Sequence, residues 1–171
     1  MPCAERHIFP ALLAGASVLM GCARDDEASM RDRLSAWFTL GDTLAFASQQ
    51  GCAAGAFLVK DDTPASGLPV ERDLGAMLRA LPRFGVAAVD DPALSPDEAM
   101  RQAANTDRPV GMAMRRAALE ARDCMQGDLA AEFRRLLTRS EAVLAFHSEE
   151  RAVMMLDRPN RVLVVAMGAG E

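Results

Sequence analysis

The stretch Ala142-Val143-Leu144-Ala145-Phe146-His147, with Ala152–Leu156 and Val162–Met167 behind it, decides the fold. Three apolar runs of five or six residues are parted by Ser148–Arg151 and by Asp157-Arg158-Pro159-Asn160-Arg161. Runs of that length are strand-sized, and the connectors are rich in turn residues. They are too short for a crossover, so consecutive strands must run antiparallel. The end of the chain therefore reads as a β-meander.

Upstream of the meander the period changes to that of helices. Leu129, Phe133, Leu136 and Leu137 share one face of a helix capped by Asp128. Met114, Ala117, Ala118, Ala121, Cys124 and Met125 share a face of another, which ends at Gly127. Ser95-Pro96-Asp97-Glu98 is a capping box opening a short helix to about Ala104, and Pro109 then interrupts the chain. Phe84–Val89 is apolar and is a candidate strand. Val70, Leu74, Met77, Leu78 and Leu81 line one helical face between Pro69 and Pro82.

Asp61–Gly67 is a loop by composition. Thr43–Ser48, with Leu44 and Phe46 on one face, and Ala54–Lys60 form a hairpin about Gln49-Gln50-Gly51, with Cys52 near its tip. Met30, Leu34, Trp37 and Phe38 behind Ser29 predict a short helix stopped by Gly41, with Trp37 in the core. The expected fold is α+β: a single antiparallel sheet of about five or six strands, with helices packed mainly on one face, over residues 29–171.

The chain has 171 residues and a net charge of −5, which suits one acidic domain. No basic cluster is present, so nucleic acid is not expected as a partner.

The apolar run Ile8–Met20 follows an n-region whose charges are Glu5 and Arg6. As a helix it would span about 20 Å, short of a hydrocarbon core of about 30 Å. Arg24, Asp25, Asp26 and Glu27 come at once after it, which is costly for a membrane span. The run ends in Leu19-Met20-Gly21-Cys22, which resembles the lipobox of bacterial lipoprotein precursors. The resemblance implies that residues 1–21 are a signal peptide and that Cys22 becomes the lipidated N-terminus. Residues 22–28 are then a short tether, reaching at most about 20 Å from Ala23 to Ala28. It implies a cell-envelope protein facing the periplasm, with the membrane as partner through lipid on Cys22 and an envelope protein as a possible second partner. Ala23, where Asp would mark retention in the inner membrane, leans the assignment to the outer membrane. Ala14-Gly15-Ala16 offers an ordinary cleavage site as the rival.

On that reading Cys3 is removed and Cys22 is occupied, which leaves Cys52 and Cys124. Two remaining cysteines in an exported domain most often form a disulfide. Free thiols and a redox pair remain open, although no C-x-x-C spacing favours the latter.

Chemistry-bearing patterns are sparse. His147 is the single histidine left after the signal, so no multi-histidine metal site can form, and no metal or cofactor is expected. There is no G-x-S-x-G, S-x-x-K or phosphate loop. Asp25-Asp26, Asp61-Asp62, Asp90-Asp91 and Glu149-Glu150 lack the spacing of a calcium loop and read as solvated. Met112, Met114, Met154 and Met155 could offer thioethers to Cu(I), but their spacing is that of core residues, with one of Met154 and Met155 buried. The expected function is a non-catalytic interaction or envelope-maintenance lipoprotein. The alternative is a ligand-binding or hydrolytic domain whose site gathers scattered carboxylates, arginines and His147.

Overall fold

The computed structural model describes residues 24–169. The lipobox Leu19–Cys22, and with it the expected cleavage and lipidation, lies outside the described residues. Among those described, no helix is long and apolar enough to cross a membrane.

The order is α1 (Glu27–Leu34), β1 (Leu40–Gln49), β2 (Cys52–Val59), β3 (Val70–Glu71), α2 (Leu74–Phe84), β4 (Val86–Val89), α3 (Pro96–Thr106), α4 (Arg108–Ala121), α5 (Gly127–Leu137), β5 (Val143–His147), β6 (Ala152–Asp157) and β7 (Val162–Met167). The strands form one sheet in the order β1-β2-β7-β6-β5-β4-β3. Every pairing is antiparallel except β3 with β4. The meander is the middle of this sheet, and the β1–β2 hairpin docks on β7.

The sheet has seven strands, against five or six expected. The extra strand is β3, two residues long and parallel to β4. Val70 fits the helical spacing of Leu74 and Leu78, which disguises it, but it pairs with Ala88. The helix itself starts at Leu74, where Asp73 accepts a hydrogen bond from Ala76 N–H at 2.8 Å. Gly85 closes it with a φ of 72°, the left-handed conformation glycine adopts without penalty.

Other boundaries shift for local reasons. Asp26, rather than Ser29, caps α1, and α1 ends at Leu34, so Leu40 and Gly41 belong to β1. A register shift between Thr43 and Ala45 breaks the alternation expected of β1. Leu44 is left 53% exposed, while Phe46 packs with the α1 side of the sheet. Pro109 does not interrupt a helix but sits in the first turn of α4, where its missing N–H costs nothing. Gln126, not Asp128, precedes α5, and Asp128 lies inside its first turn. Arg24 and Asp25, in the stretch read as tether, are hydrogen-bonded to the domain: Arg24 N–H to Gln49 O at 2.6 Å and Asp25 N–H to Ser48 Oγ at 3.1 Å.

Both faces of the sheet are covered. Helices α2–α5 pack on one face against Val153, Met155, Val164 and Ala166, among others. The opposite face carries Met154, Leu156, Leu163 and Val165 beneath Met30 and Leu34 of α1, with Phe38 and Leu68 from the loops. Adjacent residues point to opposite faces, so Met154 and Met155 are both buried, where the alternation alone predicts one inside. A disulfide joins Cys52, at the start of β2, to Cys124, just past α4, with Cα atoms 6.0 Å apart. It ties the edge hairpin to the helical layer.

Candidate ligand-binding pocket

The two faces are covered unequally. Helix α1 has eight residues, about 12 Å, against a sheet of seven strands about 29 Å across. It shields the part of the sheet under Met30 and Leu34 and stops short of the β5–β6 hairpin. At that end His147 pairs with Ala152, and Ala152 pairs with Met167. The small alanine between two long side chains leaves a hollow. The result is a cavity of about 290 Å³, close to the lower limit for small-ligand sites.

Ala152, Met154, Val165 and Met167 form the floor, Met30 and Leu34 one wall, and Trp37, Arg33, His147 and Glu150 the lip. The floor is apolar and the lip holds nearly all the polarity. Trp37, expected in the core, is only partly buried and lies against His147, ring centroids 5.2 Å apart and planes tilted by 43°.

His147 is the informative residue. The backbone N–H of Glu150 donates to its Nδ1 at 3.1 Å. An amide can only donate, so Nδ1 carries the lone pair and, in the neutral ring, Nε2 carries the proton. Burial pushes the imidazole below its ordinary pKa, and Arg33 adds to that, while Glu150 and Glu149 oppose it. The ring is therefore neutral at neutral pH and offers a donor, not a base, from Nε2.

Charges on the lip are largely spent on one another. Arg33 is ion-paired with Asp25, and its Nε lies 3.8 Å from Glu150 Oε2. Arg24 donates to Gly168 O and Glu150 O, each at 3.0 Å, and its Nη2 is 3.7 Å from the Glu150 carboxylate. This network lashes the start of the described chain to α1 and to the β5–β6 turn.

His147 is not set as the base of a catalytic triad. A general base of the triad type has a carboxylate on the nitrogen that here accepts a backbone amide. Neighbouring Ser148 donates its hydroxyl to Gly85 O at 3.0 Å. Copper fares no better at this ring, since a protonated Nε2 has no lone pair for a metal. Among the described residues no group of three or more His, Cys, Asp and Glu side chains is placed to hold a metal ion. The Met112 and Met114 side chains point apart, one 49% exposed and the other buried.

The acidic pairs named from the sequence are dispersed. Asp26 caps α1, Asp90 pairs with Arg158 at 2.7 Å, and Asp91 closes a turn onto Ala93 N–H. The carboxylate that matters most structurally, Asp157, belongs to no pair or motif that would mark it in the sequence. Its side chain is wholly buried at the end of β6, bonded to Arg135 and to Asn160 Nδ2 at 2.8 Å. Burial pushes its carboxyl up, but those hydrogen bonds outweigh it and hold the group below its ordinary value. It braces the β6–β7 turn beside a second, more polar hollow of about 660 Å³ on the other face.

Of the residues that the sequence nominates, His147 lines the cavity and Cys52 and Cys124 form the bridge; Cys22 is outside the described residues. Arg33, Glu150, Trp37 and Ala152 have no sequence signal as a group, because α1, the turn after it, the β5–β6 turn and β6 bring them together. No family model, curated protein or solved structure matches this chain.

Proposed function

We propose that the chain is a lipid-anchored envelope protein that acts by binding and not by catalysis, with the cavity beside α1 receiving the apolar part of a small ligand. The observation that carries this reading is an open apolar floor under a lip whose arginine is already ion-paired. Such a surface binds greasy groups and has no unpaired acid–base couple to do chemistry.

The anchor part rests on the lipobox resemblance at Leu19-Met20-Gly21-Cys22. Cys22 is two residues before Arg24, a reach of about 7 Å, and Arg24, whose backbone is bonded to Gln49, extends its guanidinium a further side-chain length to Glu150 on the lip. A lipid on Cys22 would start near the cavity mouth and hold it close to the periplasmic surface of a leaflet, that of the outer membrane if Ala23 directs sorting. The mass of the mature N-terminal peptide tests the anchor: a triacylated Cys22 is expected, and an unmodified N-terminus elsewhere contradicts it.

The binding part is read by Trp37, the single tryptophan of the chain. Titration of the full chain with N-phenyl-1-naphthylamine should give one saturable site with energy transfer from Trp37. Ala152→Phe, which fills the floor, should abolish the transfer while the thermal melt stays cooperative. Absence of a saturable site in the unaltered chain would overturn the reading.

A further inference from the structure

We infer that the ligand is an uncharged single-chain acyl ester, of the monoacylglycerol class, whose carbonyl oxygen accepts a hydrogen bond from His147 Nε2 while its chain lies over Ala152 and Met154. This rests on the binding reading above and specifies its head group. Three observations narrow the choice. The hydrogen bond from Glu150 N–H to Nδ1 leaves Nε2–H as the outward group of His147, and no described residue accepts from it. A ligand that satisfies this donor must present an acceptor, which an ammonium head lacks. A carboxylate or phosphate head is also an acceptor, but the lip has no cation to spare for it. Arg33 is committed to Asp25 and Glu150, and Arg24 to Glu150 and Gly168. Counting Asp32, which also lines the cavity, the lining carries two acids against one arginine and repels an anion. An uncharged carbonyl or hydroxyl remains, attached to a chain thin enough for a cavity of about 290 Å³.

The test displaces bound N-phenyl-1-naphthylamine from the full chain with monoolein, oleate and oleylamine, all below their aggregation thresholds. Monoolein should displace the probe at concentrations about tenfold lower than oleylamine, the effect of one hydrogen bond made or left unmade, and also lower than oleate, which the acids of the lip repel. His147→Phe keeps an aromatic ring against Trp37 but removes the donor, so, with each displacement normalised to the variant's own affinity for the probe, it should lose the preference for monoolein over oleylamine. His147→Gln restores an N–H and should regain it. Equal displacement by oleate or oleylamine, or a preference over oleylamine that survives in His147→Phe, overturns the inference while leaving the binding reading intact. Failure of the unaltered chain to bind the probe sinks both.

Discussion

At the scale of single residues, His147 makes the pH response of the domain predictable. Its folded pKa lies below the ordinary value of about 6.5, chiefly through burial, with Arg33 adding to this and Glu149 and Glu150 opposing. As pH falls, the unfolded chain takes up this proton first. The stability it contributes is thus complete above about pH 6.5 and is lost as pH drops through the folded value. Melting temperature measured against pH should decline over that window, and His147→Phe should flatten this part of the decline. Asp157 titrates with the usual carboxylate sign: its contribution is present above about pH 4 and lost as pH falls through its depressed folded value. Asp157→Ala should cost about 1–3 kcal/mol in urea denaturation, because it strips the β6–β7 turn of its acceptor. Arg135 adds little to that figure, since its side chain is over a third exposed. Gly111 has a different role. A Cβ there would run into the backbone of Ala103 and Ala104, so α3 and α4 cross where only glycine fits. Gly111→Val should destabilise by about 1–3 kcal/mol or more by forcing the helices apart, read from the same denaturation series.

At the scale of elements, the Cys52–Cys124 bridge joins the β1–β2 hairpin to the turn after α4 across 72 residues. The loss of chain entropy in the unfolded state makes it worth about 4 kcal/mol. Reduction, or Cys124→Ser, should lower the unfolding free energy by about that amount, and β1 and β2 should lose hydrogen-exchange protection before the meander does. A bridge-free protein as stable as the oxidised one would contradict the assignment. The elements also show what can be read from one sequence. The meander is legible because its connectors are short and its runs are continuous. Leu74, Met77, Leu78 and Leu81 are legible because a 3.6-residue period leaves no second reading. β3 is not, because two residues carry no period of their own and exist as a strand only through β4. The end of α1 is hidden for a similar reason: Leu40 fits the helix spacing, yet pairing with Val59 across the hairpin takes it into the sheet. Of the pocket, only His147 is legible. Its depth is set by Ala152, whose meaning lies in the length of its neighbours on β5 and β7.

At the scale of the whole molecule, one short helix on one face and four on the other leave an asymmetric sandwich. The thin face opens at the end of the sheet where Arg24 is fastened. Lip and cavity thus fall at the end of the molecule where Arg24 is bonded, and on the proposed lipidation of Cys22 the cavity mouth would be held at the membrane by connectivity. The most direct check is Trp37 fluorescence of the full chain in phosphatidylcholine vesicles whose acyl chains carry bromine close to the head group. Strong quenching is expected in the native protein, lost when Cys22→Ser removes the anchor. Emission from Trp37 that is indifferent to the brominated lipid, with the protein demonstrably vesicle-bound, would contradict a cavity held mouth-down at the leaflet.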